Sequence, residues 1–445
     1  MVNGWLITLG LVNVYIILLF WLVRTGRMEK YNLSLMLGFI LMIRTQRGRG
    51  TLEKISKPAK FWHGFADTGV AVAYAGMILM TALMVWTVGR VLQPDSGVPA
   101  LGASEILIIP GVNPFVPLWY GLIALIITLV VHESGHGIVA LANKMRLKSL
   151  GLLMAVVPVG AFVEPDEDDL TKAPRRARLR VYAAGPMMNF VFATITIIGF
   201  AVMMGAMTPM DGTAVASVVG TPASDAGILP GDLILTADNM DVSEWDDFIA
   251  FMDTTSPGQN VTFGLQDRDV QATLGSRWDV LSDEQKQRVI AEDAAFAEEL
   301  QNDAFLGVAP FFQDRTQDVL AHPVGEFQNF LFYVSLPIGE IQNAPYLSFY
   351  LPTFYETPFS EDIFWPLANV LFWTFWINIM VGLTNILPML PLDGGHLFRD
   401  GLSGVLERFR LEEQQRAKIV NGTATVLSFA ILAAVVLQII GPRLV

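Results

Sequence analysis

The chain has 445 residues, 53% hydrophobic and 16% charged, and its mean hydropathy of +0.47 is above that of a soluble domain of this length. A formal charge of -13, from 42 acidic and 29 basic residues, argues against nucleic acid as a partner. With no cysteine, disulfides and thiolate metal sites are excluded, so any metal must be held by histidine and carboxylate.

A bilayer core takes roughly 20 apolar residues in a helix. In chain order the qualifying stretches are Gly4 to Val23, Val70 to Leu92, Leu118 to Ala142, Val181 to Met207, Leu367 to Leu387 and Thr423 to Ile440. The expectation is a polytopic α-helical membrane protein with about six transmembrane helices. The first stretch has no basic residue ahead of it and no small-residue cleavage pattern behind it, so it reads as a span and not a signal peptide. Between the first two spans, the apolar run Leu35 to Ile43 is too short to cross and reads as a β-hairpin or a re-entrant segment.

Basic residues set the expected orientation. Nine Lys/Arg lie between Arg24 and Lys60, none between Val91 and Pro117, and eight between Lys144 and Arg180; Arg399, Arg408, Arg410, Arg416 and Lys418 follow Asp393. Between Met207 and Trp365 there are 26 acidic residues, which marks a solvent-exposed segment. The alternation places the N-terminus and this acidic segment outside the cell membrane and the first loop inside.

The third span contains "VVHESGHGIVALA", Val130 to Ala142. Residues four apart share a helix face, so His132 and His136 can bind one Zn²⁺ through their imidazoles, with Glu133 one residue round beside a water. Such a glutamate can take a proton from water whose pKa zinc has lowered to about 7 and pass it to a leaving amine. Ionisable groups are costly in a bilayer and need compensating partners, which weighs against scattered polar residues with no role. Topology puts this motif in the inner half of the membrane.

After that span, "LLMAVVPVGAFVE", Leu152 to Glu164, has the β-branched content of a strand. A transmembrane substrate must unwind before hydrolysis, and its freed backbone groups then need partners. A strand edge at Gly160, Ala161 and Phe162 would supply them by β-addition. Farther on, Gly212 to Leu265 shows short alternating strands, turns at "ILPGD" and "TSPGQ", and an amphipathic helix at "WDDFIAFMDT". The acidic run Ser282 to Asp303 reads as one solvated helix ahead of a strand, "AFLGVAP".

At the inner end of the fifth span lies "NILPMLPLDGGH", Asn385 to His396. Pro388 and Pro391 break the helix, and Gly394 and Gly395 permit a sharp turn around Asp393. A carboxylate is thereby set at the depth of the two histidines, as the favoured third metal ligand; the plainer reading is a helix cap. His396 is either a donor behind the ligands or an ordinary interfacial histidine and is left unassigned.

These residues together resemble the site-2 protease family of intramembrane zinc metalloproteases. The resemblance rests on "HESGH" and "NILPMLPLDGG", with "GVNPFVPLWYG", "GAFVEPDEDD" and "RVYAAGPMMNF" in support. It implies an extracytoplasmic PDZ-like α+β domain inserted between spans four and five. It also implies His132, His136 and Asp393 as zinc ligands, Glu133 as general acid/base, and Asn385 near the active site, hydrogen-bonding substrate backbone or oxyanion. The implied activity is hydrolysis of peptide bonds in or near transmembrane segments of membrane proteins, with those proteins and the bilayer as partners. The PDZ-like domain would bind peptide by β-addition or serve as a steric filter. The expected organisation is 1–94, two spans with the basic loop; 95–206, spans three and four; 207–312, the PDZ-like domain; 313–365, a linker; and 366–445, spans five and six. A membrane zinc transporter or sensor, and a catalytically inactive PDZ scaffold, are the alternatives.

Overall fold

The computed structural model describes residues 4–36, 38–91, 93, 109–113, 116–323, 327–339, 351–409 and 411–441. Parts of the loop ahead of the third span and of the expected 313–365 linker lie outside these. The principal helices are α1 Gly4–Arg24, α2 Ala59–Val91, α3 Leu118–Ala142, α4 Arg175–Gly205, α5 Trp245–Met252, α6 Asp283–Glu292, α7 Ala294–Asn302, α8 Glu361–Asn385, α9 Asp393–Leu406 and α10 Glu413–Ile440. Among the described residues five of them, α2, α3, α4, α8 and α10, are long and apolar enough to cross a membrane. In α1 the described apolar stretch is shorter, Val12–Arg24. The chain divides into two compact units, Met1–Ile197 with Asn369–Val445, and Ile198–Ala368.

In the first unit, small residues let the helices approach closely. A Cβ on Gly69 of α2 would lie 2.9 Å from the Met187 Cβ of α4, and one on Gly135 of α3 would lie 2.6 Å from the Ala184 carbonyl oxygen of α4. Without a hydrophobic driving force between helices in lipid, such contacts and interhelical polar bonds are what hold spans together. Asn378 of α8 donates to Thr128 Oγ1 of α3 at 2.8 Å, and both are buried. Asp67 on α2 takes Arg176 at 2.6 Å and Arg180 at 2.7 Å, at the polar end of α4. Outward faces stay apolar: Val85 of α2 is 68% exposed and Val426 of α10 69%, as suits contact with lipid chains.

The same unit contains a four-stranded antiparallel sheet in the order β1 Leu33–Met36, β2 Ile40–Thr45, β3 Leu147–Ala155, β4 Val157–Pro165. The short apolar run of the first loop is therefore a β-hairpin. The sheet corrects the single strand expected over Leu152 to Glu164. That stretch bends back at Val156, φ 69°, and forms the end of β3, the turn and most of β4. Tyr15 of α1 donates its hydroxyl to the Met154 carbonyl at 2.6 Å, tying the helix to the sheet.

The second unit holds a mixed-order sheet of six strands. Its path is β10 Asp269–Thr273, β9 Asn260–Leu265, β7 Leu233–Ala237, β6 Thr213–Val218 and β13 Val308–Pro310, with β8 Met240–Asp241 on β7. Two two-stranded pairs complete it, β5 Thr208–Pro209 with β14 Tyr355–Glu356, and β11 Gly275–Ser276 with β12 Ala304–Phe305. Phe248, Phe251 and Met252 of α5 join Val261, Phe263 and Leu265 of β9 in its core, so the amphipathic helix forms where the pattern predicts. The single acidic helix does not. Asp293, extended at φ -156°, ends α6 and accepts from the Ala295 and Phe296 N–H groups to start α7. The following strand is likewise two pieces, β12 and β13, parted by Gly307 at φ 92°.

Candidate active site

Helix α3 presents His132 and His136 one turn apart toward α4 and α9. His132 is 6% exposed and His136 9%. Gly135 and Gly137, on either side of His136, make the crowding possible. At Gly135 a side chain would strike the α4 backbone; at Gly137 a Cβ would lie 3.0 Å from Val163 of β4 and 3.1 Å from Leu52. The motif is thus packed on one side against a helix and on another against a strand.

Asp393 reaches the same point from the first turn of α9. Its side chain does not cap the helix, for which no side-chain cap bond exists. The glycines after it are needed for close approach and not for a left-handed backbone: a Cβ on Gly395 would lie 2.7 Å from the Leu390 nitrogen, and one on Gly394 would collide with the Ile386 and Leu387 carbonyls. The loop is held to α10 by the Leu390 N–H, which donates to Ser428 Oγ at 2.9 Å.

Asp393 Oδ2 lies 3.1 Å from His132 Nε2 and 3.3 Å from His136 Nε2, and the two Nε2 atoms are 3.2 Å apart. These form a nearly equilateral triangle. A tetrahedral ion with bonds of about 2.0–2.1 Å separates its ligand atoms by about 3.3 Å, so the three side chains fit Zn²⁺. The chemistry of the donors agrees. Oδ2 is buried and satisfies no hydrogen-bond geometry with either ring, as expected of a lone pair aimed at an ion. His136 Nδ1–H donates to the Val181 carbonyl at 2.7 Å, which leaves the Nε2 lone pair inward. Among the described residues this is the one group of at least three His, Cys, Asp or Glu side chains so gathered.

Glu133 lies beside this triangle, and its Oε2 accepts from the Val163 N–H of β4 at 2.8 Å. That bond fixes the orientation of β4. Backbone groups alternate along a strand, so if Val163 N–H points away from β3, so do the backbone groups of Ala161, whereas Gly160 and Phe162 bond into the hairpin opposite Leu153 and Gly151. β4 is the last strand of its sheet and its outer edge faces the motif helix.

Asn385 is the last residue of α8 and is partly exposed; among the described residues no hydrogen bond joins it to the triangle. His396 is outside the triangle. It stacks on Tyr182, ring centroids 5.1 Å apart, and lines a cavity of about 390 Å³ with Arg178, Arg399 and Asp400. The stretch "RVYAAGPMMNF" supplies the α4 face behind the histidines, where Val181, Gly185 and Asn189 stand at successive turns; the sequence did not reveal that they meet the rings. A Cβ on Gly185 would lie 2.6 Å from His132 Nε2 and also meet His136 Nε2, and Asn189 Nδ2 is 3.1 Å from His132 Nδ1.

The model of the family described as peptidase family M50 matches residues 120–431, which spans α3 through most of α10. The chain belongs to peptidase family M50. This is the family of the site-2 proteases that the motifs resemble. The M50 chain is 22% identical over 392 residues to an uncharacterized protein of Methanocaldococcus jannaschii, covering 87% of this chain and 84% of the relative. It is 25% identical over 375 residues to the metalloprotease MmpA of Caulobacter vibrioides, covering 70% and 93%. With a membrane-bound transcription factor site-2 protease homolog of Arabidopsis thaliana it shares 28% identity over 141 residues, 30% of this chain and 28% of the other.

Proposed function

We propose that this peptidase is an intramembrane zinc metalloprotease that cuts peptide bonds in or near transmembrane segments of other membrane proteins. The observation that carries the reading is the convergence of His132 Nε2 and His136 Nε2, with Glu133 beside them, from the long apolar helix α3, and of Asp393 Oδ2 from the start of α9. His132, His136 and Asp393 would hold the ion. When bound, zinc supplies Lewis acidity, polarising the scissile carbonyl and acidifying water.

The remaining chemistry belongs to the chain. Glu133 takes a proton from the attacking water as its oxygen bonds to the carbonyl carbon, then delivers that proton to the departing nitrogen as the C–N bond breaks. The Val163 N–H holds the carboxylate in place for both transfers. The outer edge of β4 along Gly160, Ala161 and Phe162, where Ala161 turns its backbone groups outward, lays out an unwound substrate strand by β-addition beside the ligands. Asn385, at the end of α8, is assigned to the substrate backbone or oxyanion on the strength of the motif resemblance.

Charge distribution supports a cell-membrane protein with about six spans, its N-terminus and the Ile198–Ala368 unit outside and the active site toward the cytoplasm. We assign that unit as PDZ-like, screening or binding the outer part of substrates. A zinc transporter would need further ligand groups along a path, and among the described residues the three-residue group stands alone. Natural substrates are tested by comparing membrane-bound and released fragments in cells carrying wild-type protein or Glu133→Gln. Transmembrane fragments that accumulate uncut only with the variant support the reading; identical fragment patterns would remove it.

A further inference from the structure

Behind the two histidines, helix α4 offers a different partner to each ring. His136 Nδ1 meets a backbone carbonyl, Val181 O, at 2.7 Å. A carbonyl can only accept, so that ring carries its proton on Nδ1 and turns an Nε2 lone pair toward Asp393. Two turns along the same face, Asn189 is wholly buried, and its amide lies 3.1 Å from His132 Nδ1. An amide can donate or accept, so here the partner does not settle the proton by itself.

The two orientations of Asn189 have opposite consequences. With Nδ2 toward the ring, His132 Nδ1 must be the bare nitrogen, its proton sits on Nε2, and a hydrogen stands in the triangle where a lone pair is needed, with Asp393 Oδ2 3.1 Å from that nitrogen. Such a ring cannot bind a metal through Nε2. With the amide turned by half a rotation, which leaves its shape unchanged, Oδ1 accepts from Nδ1–H and the Nε2 lone pair faces inward. In the first orientation the far amide atom, Oδ1, finds no protein partner, so nothing on that side holds Nδ2 toward the ring. The triangle chooses the second: three ligand atoms about 3.2 Å apart require lone pairs from both rings.

We propose that Asn189 is a positioning residue for the metal centre, its Oδ1 accepting from His132 Nδ1–H and so fixing the ring as an Nε2 ligand. The proposal rests on the metal reading above. A neutral amide does this without placing another charge among apolar helices, which is where α4 sets it. Gly185, one turn earlier on the same face, leaves room for both rings.

The test uses the full chain in lipid nanodiscs, with zinc affinity measured by competition with a chelator and ligand geometry followed by the visible spectrum of the Co²⁺-substituted protein. Asn189→Leu removes the acceptor at similar size, and Asn189→Asp keeps acceptors only. Partners of this kind are worth 10–100-fold in affinity, so Asn189→Leu is expected to lose about that factor and shift the Co²⁺ bands, while Asn189→Asp stays within about threefold of wild type or binds more tightly. Unchanged affinity and spectrum in Asn189→Leu would overturn the proposal. So would a loss of tenfold or more in an Asn189→Asp protein that folds as wild type does, because its carboxylate still offers the acceptor and lacks only a donor; that variant decides the matter if the leucine protein does not fold. Failure of the underlying reading has another signature: wild-type protein that takes up no stoichiometric zinc.

Discussion

At Gly185 the absence of a side chain has a chemical purpose. The space a Cβ would take is occupied by the two imidazoles, with His132 Nε2 at 2.6 Å. Gly185→Ala must therefore push at least one ring off the triangle, and since metal geometry tolerates only a few tenths of an ångström, zinc affinity should fall at least tenfold, about as for loss of a ring's hydrogen-bond partner. Chelator competition on the purified variant measures it, and wild-type affinity would show that the rings have other room. The residues that bear charge or bind metal were legible in the sequence because their types and spacing are chemically restrictive: His132, Glu133 and His136 one turn apart, and Asp393 between helix breakers and glycines. The roles of Val181, Gly185 and Asn189 were not, although "RVYAAGPMMNF" contains all three, since a backbone carbonyl, an empty space and a neutral amide do not announce what they touch.

At the scale of elements, strand β4 links the motif helix to substrate. Ala161 turns its N–H to the open edge, whereas Phe162 bonds into the hairpin opposite Gly151. Ala161→Pro removes an edge donor without breaking a β3–β4 bond, so it should slow cleavage about tenfold or more and leave zinc content unchanged. Equal cleavage rates for variant and wild type would exclude β-addition at this edge. The hairpin's far end is clamped where Asp169 takes both the Arg146 N–H, at 2.9 Å, and its guanidinium. The Arg146 side chain, then its backbone N–H, holds the Asp169 carboxyl down at about 2, below its ordinary value of about 3.9. A depressed carboxyl stabilises the fold above its unfolded pKa and loses that contribution as pH falls through the folded one. Asp169→Asn should thus melt earlier than wild type near pH 7, with the two converging between pH about 4 and about 2; a constant difference would contradict the clamp. The β-content around Leu152 to Glu164 was readable from its branched residues, but the turn at Val156 was not, because nothing in "AVVPV" marks a reversal. Likewise Asp293 reads as one more acid in an acidic run until its capping bonds divide the helix.

For the whole molecule, the spans were the most legible feature, since their apolar lengths are dictated by the bilayer. Their ends were less so. Helix α4 begins at Arg175, ahead of the expected Val181, because its first turns carry arginines that pair with Asp67 and Asp400. Orientation is testable on the native background, since the chain has no cysteine. A cysteine at exposed Lys57 should be labelled by an impermeant reagent only after the membrane is opened, and one at exposed Asp283 in intact cells; the reverse pattern would invert the topology. The central claim is that zinc held by His132, His136 and Asp393 works with Glu133 to cut peptide bonds within the membrane. Its most direct test is the purified Glu133→Gln protein reconstituted with a transmembrane substrate. One zinc per chain should be retained while cleavage falls by about 10²–10⁴-fold, the range for a lost general acid/base; cleavage at the wild-type rate with zinc in place would contradict it.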